Sequence, residues 1–393
     1  MASFDYNSLK TEYDNFHYPI VSITVNGKEF SENKKKLGVS DIEVEMTSGF
    51  EASIATFWIY GAYDREQHRF IFDDMKSYML LGSSVVIHMG YGSQVREVFR
   101  GFIAKVNFAV PADDMPGVEV TAMDVKGMMM SGSYSRQLLA TSSSDAVNEI
   151  LQQTAYVKMQ SNEIITGLEI TATPDKNPTG GTSQGTKASD KTIEMVGESD
   201  YEFVVKAAKK FNYEFIAIGG VVYFRKAKDN PEILIETGPG RGLRSYGIEY
   251  DITGQVETIE VRGMDVGTSK QISATQKLQN KLSQGSKAKA LLKKSKKVYI
   301  DPTVSSQEEA GYRASYLAED ISYRFGTLEA EFIGLPELTP GRFIKVSGLG
   351  TGADNIFYLT TVRHIMDGEE GYVTRVVGKA AGMQQEVSTG GLI

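Results

Sequence analysis

Residues 325–378 read FGTLEAEFIGLPELTPGRFIKVSGLGTGADNIFYLTTVRHIMDGEEGYVTRVVG, and this stretch decides the fold class. Short runs of β-branched and aromatic residues alternate with turns rich in glycine, proline and aspartate, a pattern typical of antiparallel strands. A Pro-Gly corner stands at 340–341, and an Asp-Gly pair at 367–368 predicts a hairpin between strands at 358–364 and 372–377. The stretch predicts a small antiparallel sheet or barrel, and it contains no catalytic motif.

The composition of the chain indicates a folded protein with more than one core. Its 393 residues are 41% apolar and 23% charged, which favours two or three domains. No apolar run approaches the ~18–20 residues of a membrane-spanning helix, and residues 1–19 lack the basic-then-apolar pattern of a secretory signal. We therefore expect synthesis in the cytoplasm without a signal peptide, and no stable membrane insertion.

Cysteine is absent, which excludes disulfides, thiolate metal sites and cysteine nucleophiles. The four histidines are at least 20 residues apart and show no metal-ligand spacing; they are His17, His68, His88 and His364. We interpret them as structural residues. Carboxylates are numerous, but no spacing singles out a catalytic pair. The sequence therefore predicts no catalytic, cofactor-binding or metal-binding residue, and no enzyme.

Residues 17–125 are predicted to form a first β-barrel, preceded by an N-terminal arm at 1–16. The stretch 21–30 alternates apolar and polar residues around Asn26-Gly27, the strongest short hairpin signal. Further alternating runs follow, with one short helix expected near 73–80. Six or seven strands in this length predict a compact barrel or sandwich.

Residues 126–237 change from strand to helix periodicity and are predicted to form an α+β middle domain. One helix is expected at 144–153 and a second after Ser199, which forms a capping box with Glu202. A hairpin at 213–225 follows the second helix. Between the helices, residues 173–191 are almost free of apolar side chains, so we expect a mobile loop.

The remaining residues are predicted to form a second β-barrel that is discontinuous in sequence. Strands from 243–263 are expected to pair with the C-terminal strands, and Ser306 begins a capping helix with an apolar stripe. Gly238–Gly242 is interpreted as a turn, because it lacks the preceding buried strand, the following helix and the Lys-Ser/Thr pair of a phosphate-binding loop. The predicted segments are the barrel at 238–268 and 305–379 with its helix at 306–323, a lysine-rich insertion at 269–304, and a tail at 380–393.

Residues 86–124 and 344–378 have the same layout, which suggests an internal duplication. Each runs through a strand, a Gly-x-Gly turn, an aromatic strand, a loop and a final strand that begins at glycine. The two barrels would then be copies of one unit.

Three ordered motifs in the C-terminal stretch carry a family resemblance: Gly334-Leu-Pro-Glu-Leu-Thr-Pro-Gly341, then Tyr358 to His364, then Gly371-Tyr-Val-Thr374. With Gly82–Gly92, Val98–Ile103 and the Glu198–Phe203 stretch, they resemble the phage late-control D and VgrG-type baseplate hub proteins of contractile injection systems. The resemblance covers most of the chain. It implies a mainly β fold with α+β parts, in which two tube-protein-like β-barrels flank a small α+β domain.

The resemblance also implies a function as a structural hub. Members of the family form trimers with pseudo-sixfold symmetry, because each chain contributes two barrels, and they join a hexameric tail tube to a trimeric spike. The chain stops at Ile393, so we expect the spike to be a separate polypeptide. The implied partners are a second and third copy, tail tube or tube-initiator proteins, the spike and other baseplate proteins. The implied location is a virion or an extracellular injection particle.

The net charge of −8 is unevenly distributed. Nine lysines and no acidic residue lie between Lys270 and Lys297, and the rest of the chain carries 33 basic and 50 acidic side chains. This acidic bulk argues against nucleic-acid recognition. The lysine segment is either a solvated extension or an electrostatic contact with an acidic neighbour. The candidate interface residues are Lys287, Lys289, Lys293, Lys294, Lys296 and Lys297.

Two other functions are compatible with the sequence. A receptor- or glycan-binding tail protein would expose aromatic side chains on loops, whereas the Tyr and Phe residues here lie mostly within strand and helix patterns. A cell-wall hydrolase would need a catalytic carboxylate pair, and no such pair stands out by its spacing in the sequence. The sequence does not distinguish a phage, a tailocin, an extracellular injection system and a type VI-like system as the host particle.

Overall fold

The computed structural model describes residues 3–32, 37–112, 115–175, 193–265, 269–278, 286–350 and 352–383. Most of the regular structure is β. The strands are β1 Pro19–Val25, β2 Lys28–Glu29, β3 Gly38–Thr47, β4 Ile54–Tyr60, β5 Tyr63–Asp64, β6 Arg69–Phe70, β7 Ser84–Tyr91, β8 Gln94–Ala109, β9 Gly117–Met123, β10 Tyr134–Leu138, β11 Gly167–Ile170, β12 Ile193–Glu198, β13 Tyr213–Ile218, β14 Val221–Lys226, β15 Ile233–Thr237, β16 Leu243–Tyr250, β17 Thr258–Asp265, β18 Lys270–Lys277, β19 Lys296–Ile300, β20 Gly326–Ile333, β21 Phe343–Val346, β22 Asn355–Asp367 and β23 Gly371–Ala380.

The described α-helices contain fewer residues in total than the strands, and four of them lie between residues 125 and 211. They are α1 Tyr6–Glu12, α2 Phe72–Met75, α3 Val125–Met129, α4 Ser143–Leu151, α5 Thr154–Ser161, α6 Asp200–Phe211, α7 Ser286–Leu292 and α8 Gln307–Tyr323. Short 3₁₀ turns occupy Asp14–Phe16, Phe30–Glu32 and Lys76–Tyr78. The short helix expected near residues 73–80 is therefore confirmed as α2 and the turn that follows it.

One large sheet of 13 strands carries most of the fold. Its order is β16-β20-β23-β22-β3-β4-β9-β8-β7-β1-β2, with β21 beside β22 and β15 beside β21. The predicted hairpins are confirmed: Asn26 and Gly27 turn with positive φ between β1 and β2, and the turn at 368–370 joins β22 to β23. The mainly β fold class with an added α+β part is also confirmed.

The two predicted copies have the same order of five strands. The first unit is β3-β4-β9-β8-β7 and the second unit is β16-β20-β23-β22-β21, and every neighbouring pair is antiparallel. Even the irregularity in the long strand matches, at Ala104 in β8 and Thr360 in β22. The units differ in the next strand, because β1 runs antiparallel to β7 whereas β15 runs parallel to β21. Sequence layout and strand order therefore agree on a duplication.

The two units are joined edge to edge by backbone pairing. Residues 361–366 of β22 pair antiparallel with residues 42–47 of β3. Arg363 spans the joint, with its Nε 3.1 Å from Glu43 Oε1 and a short ion pair to Glu45. Buried apolar side chains of both units form one continuous core. The join is therefore part of the fold rather than a loose contact between domains.

The N-terminal segment is a packed helix, so the prediction of an arm at residues 1–16 is wrong. Tyr6, Leu9 and Tyr13 are buried in the main core, and the Phe4 N–H donates to Leu234 O at 2.7 Å. The three side chains fall on one face because they follow the three- and four-residue spacing of a helix. About two turns of helix are too short a pattern to stand out in the sequence.

The middle domain follows its predictions closely. The capping box of Ser199 and Glu202 begins α6, and β13 and β14 form the expected hairpin at Gly219-Gly220, with β11 added parallel to β14. Helices α4 and α6 share a separate apolar core with this sheet. Of the predicted loop 173–191, Thr173 is buried and accepts from the Ser144 N–H at 2.9 Å, while residues 176–191 lie outside the described residues.

The prediction that all strands of 243–263 belong to the second barrel is wrong for β17. Strand β16 does pair with β20, but β17 pairs with β18 and β19 in a separate three-stranded sheet, which we call the small sheet. Helix α8 begins after the Ser306 cap as predicted, yet its apolar stripe packs on the small sheet and not on the barrel. The predicted boundary at residues 268 and 269 therefore cuts through one sheet. A period-two pattern fits either sheet equally well, which is why the sequence did not distinguish them.

Candidate functional site

The three motifs that carry the family resemblance meet in one buried hydrogen-bond network. The imidazole of His364 lies 3.2 Å from Leu338 O through Nε2 and 3.1 Å from Thr374 Oγ1 through Nδ1, and the Thr374 hydroxyl accepts from the Leu335 N–H at 3.0 Å. Because only a protonated nitrogen can donate to a carbonyl, Nε2 carries the proton. Burial lowers the pKa of His364 to about 4. The structural interpretation of this histidine fits these contacts.

Tight packing explains the glycine and the tyrosine of these motifs. A Cβ at Gly334 would lie 2.1 Å from the Tyr372 ring, so any larger residue would collide with it. The carbonyl of Gly334 accepts from the Tyr91 hydroxyl at 2.9 Å, and the rings of Tyr91 and Tyr372 are 5.7 Å apart. Tyr91 belongs to β7, so the motif fixes the second unit against the first.

A buried carboxylate in the same motif ties in the N-terminal helix. Glu337 Oε1 accepts from the Tyr13 hydroxyl at 2.5 Å and lies 2.6 Å from Arg96 Nε, while Arg96 also reaches Glu12 at 3.0 Å. Burial is the main cause of the raised pKa of Glu337. Helix α1, strand β8 and the 334–341 loop are thus held by one carboxylate.

A second buried carboxylate fixes the middle domain to the second unit. Glu214 in β13 pairs with Arg225 in β14 at 2.6 Å and accepts a short hydrogen bond from the Tyr358 hydroxyl in β22. Arg225 continues to Gly341 O at 3.3 Å. Burial raises the pKa of Glu214, and the cation beside it opposes that rise.

Both carboxylates are occupied by partners of the same chain, which makes them structural joints rather than general acids or bases. An acid or base must reach a substrate proton, and these groups are covered. Within the ranges that the structure describes, no group of three or more His, Asp or Glu side chains is arranged to hold a metal ion. The described helices also include none that is long and apolar enough to span a membrane.

The six candidate interface lysines lie around the small sheet, and the structure only partly brings them together. Lys287 and Lys289 are in α7, Lys293 and Lys294 follow it, and Lys296 and Lys297 begin β19. Lys296 forms a short ion pair with Glu260, and Lys297 lies 5.3 Å from the centre of the Tyr299 ring. The described residues of this segment thus form strands and a helix, which is compatible with either sequence interpretation, a solvated extension or a contact with an acidic neighbour.

Glu260 is the anionic centre of the small sheet. Arg262 approaches it from the same strand at 3.0 and 3.2 Å, and Lys296 approaches it from β19. Hydrogen bonds from these two cations lower the pKa of Glu260 to about 2. Part of the positive charge of the lysine segment is therefore neutralised within the chain.

Two exposed strand edges are further candidate surfaces, which the sequence analysis did not identify. Phe108 and Val110 at the end of β8 are 45% and 56% exposed, and Tyr246 in β16 is 49% exposed. Such side chains beside a strand edge that has no described partner are typical of surfaces that another chain covers. The sequence signal that could have indicated these edges is the internal duplication, because it shows which strands of the two units are equivalent.

The fold is similar to that of known tail proteins. A tail protein from Neisseria meningitidis MC58 aligns with a TM-score of 0.63 and 13% identity over 93% of this chain and 97% of that chain. The 43 kDa tail protein of prophage MuSo2 from Shewanella oneidensis aligns with a TM-score of 0.60 and 11% identity over 92% of this chain and 98% of that chain.

A third similar structure is the E. coli c3393 protein, described as a component of the type VI secretion system with structural similarity to the T4 tail proteins gp27 and gp5. It aligns with a TM-score of 0.53 and 11% identity over 92% of this chain and 78% of that chain. At these identities the likeness establishes a shared fold. No curated protein matches the sequence.

A family model matches most of the sequence. It is described as the Alg8 N-terminal domain, and it matches residues 17–368, a range that includes the first unit, the middle domain, the small sheet and the second unit up to the end of β22. The protein therefore belongs to the Alg8 N-terminal domain family.

Proposed function

We propose that the protein is a structural component of a contractile tail or injection-system baseplate. In this proposal three copies form a hub with pseudo-sixfold symmetry, which joins a hexameric tail tube to a separate trimeric spike. Other baseplate proteins surround it in a virion or an extracellular particle. Its buried carboxylates hold the fold together, and catalysis is not part of its role.

The observation that carries this proposal is the repeated order of five strands in the two units. A ring of three chains presents six similar units, so it can match a sixfold tube on one face and a threefold object on the other. A chain without the duplication would offer only threefold symmetry to the tube. The fold likeness to tail proteins and to a type VI secretion component supports the same role.

We expect the purified chain to form a homotrimer with three times the 43.2 kDa chain mass. Light scattering and native mass spectrometry over a range of concentrations would measure it. A chain that stays monomeric to high micromolar concentration, together with the absence of trimers from the assembled particle, would contradict the proposal.

We also propose that the lysines near the small sheet contact an acidic surface in the assembly. Exposed ion pairs contribute only ~0–1 kcal/mol each and are screened by salt, so several must act together. Replacing the six candidate lysines by Gln is expected to weaken particle assembly and to flatten its dependence on salt concentration. The variant carries Gln at Lys287, Lys289, Lys293, Lys294, Lys296 and Lys297.

The control for this experiment removes the same charge from exposed lysines elsewhere. It carries Gln at Lys10, Lys28, Lys158, Lys206, Lys209 and Lys226. Equal loss of assembly in both variants would mean that net charge, and not this surface, matters. Unchanged assembly and salt dependence in the first variant would leave the lysines without an assembly role.

A further inference from the structure

The strand that joins the two units uses one side for two partners. The first part of β22, residues 355–358, pairs with β21, and residues 361–366 then pair with β3 of the first unit. The equivalent strand β8 pairs with β7 through residues 94–102. Beyond that point the same side of β8 has no partner strand in the part of the chain that the structure describes.

The outer strand of the second unit, β16, also has an edge with no described partner strand. In the first unit, β3 is covered by β22. Its equivalent in the second unit, β16, pairs with β20 on one side and with no described strand on the other. Each chain therefore contains one covered joint, between β22 and β3. It also has two open edges, on β8 and β16, which are equivalent to the two strands of that joint.

The matching bulges at Ala104 and Thr360 make the two units equivalent residue by residue. In the first unit, a row of paired residues crosses β8, β9, β4 and β3 at Lys105, Thr121, Thr56 and Glu43. In the second unit, the equivalent row crosses β22, β23, β20 and β16 at Thr361, Val377, Glu329 and Gly247. The register of the covered joint can therefore be transferred to the open one.

We propose that residues 105–110 of one copy pair antiparallel with residues 246–251 of a second copy of this chain. The transferred register sets Lys105 opposite Asp251, Val106 opposite Tyr250, Asn107 opposite Glu249, Phe108 opposite Ile248, Ala109 opposite Gly247 and Val110 opposite Tyr246. The number of copies rests on the proposed trimeric hub. The pairing is heterologous, so it closes into a ring when each joint repeats the rotation of the covered one.

The side chains at this register suit the pairing. Lys105 and Asp251 bring opposite charges together, and Asn107 faces Glu249 where Arg363 faces Glu45 in the covered joint. Phe108 contacts the Phe70 ring of its own chain at 5.2 Å and is still about half exposed, so Ile248 and Tyr246 would complete its cover. Among the described residues, an unpaired backbone edge and exposed apolar side chains coincide at both β8 and β16.

Engineered cysteines test the register, because the chain has no cysteine of its own. Directly opposite residues in an antiparallel pair have Cα atoms ~4.5–5.5 Å apart, within disulfide range. The double variant Asn107→Cys with Glu249→Cys is expected to give covalent dimers and trimers on oxidation. The control Asn107→Cys with Ser245→Cys is four residues, or ~13 Å, out of register and is expected to give none.

Failure of this pairing can be told apart from failure of the trimer. A trimer by light scattering whose in-register cysteines do not cross-link, or cross-link no better than the control, would overturn the pairing and leave the hub. A chain that is monomeric and does not cross-link would contradict both.

A charge test needs no covalent bond. Asn107→Lys should tighten trimer assembly and Asn107→Glu should loosen it, each by about two- to fivefold per joint, because Glu249 lies opposite. In a Glu249→Gln background the difference between the two variants should disappear. A difference of the same size in that background would place the joint elsewhere.

Discussion

Replacing Arg225 by Met is expected to lower the free energy of unfolding by about 3–5 kcal/mol, because it leaves the Glu214 carboxylate buried without its cation. Glu214 is 4% exposed, and its remaining hydrogen-bond partner, the Tyr358 hydroxyl, carries no charge. Urea unfolding followed by Trp58 fluorescence and by circular dichroism would measure the loss.

Two further variants show whether that loss comes from the unpaired buried charge. Adding Glu214→Gln to Arg225→Met removes the stranded charge, so the double variant should be less destabilised than the single one. Arg244→Met breaks a more exposed pair with Glu331 at 3.4 Å and should cost less than about 1 kcal/mol. Equal losses for Arg225→Met and Arg244→Met would show that the buried pair is not a structural joint.

His364 should make the protein less stable as the pH falls from about 6.5 to about 4. An unfolded histidine takes up a proton near pH 6.5, whereas the folded one stays neutral until about pH 4. The unfolded state therefore binds more protons across this window, and the free energy of unfolding should fall by about 3 kcal/mol. His364→Gln, which can still donate to Leu338 O, should remove that part of the pH dependence.

The comparison between variants isolates the histidine from other buried groups. Burial raises the pKa of Glu214, Glu337 and Asp124, and such carboxyls favour the folded state as the pH falls, which is the opposite sign. These groups are present in both proteins and cancel in the difference. A His364→Gln curve parallel to wild type would contradict the prediction.

Much of the fold could be predicted because its signals are local. The hairpin residues Asn26-Gly27, the capping box at Ser199, and the alternation within β22 and β23 each specify their structure over a few residues. The duplication was also visible, because glycine turns and aromatic strands recur in the same order. The family resemblance depended on residues that the structure brings into one buried network around His364.

The errors have physical reasons. Strand β17 alternates in the same way whichever sheet it joins, and its true partners β18 and β19 are rich in lysine, which depresses a strand prediction. Helix α1 is short, and its burial depends on contacts such as Tyr13 with Glu337, more than 300 residues away in sequence. The joints and the open edges likewise depend on pairing between distant segments, which the sequence of one chain does not display.

The small sheet has a consequence for how the two units could diverge. The connection between β3 and β4 is residues 48–53, whereas the equivalent connection between β16 and β20 is residues 251–325. The longer connection leaves and returns at one point, where the Asp251 N–H donates to Phe325 O at 2.9 Å. Because a longer loop adds little closure entropy, this corner of the unit could acquire a whole folded segment while all five strands kept their neighbours. In the proposed ring of three chains, this inserted segment would be present in every second unit. The two kinds of unit would then differ at this corner while their five strands keep the same order.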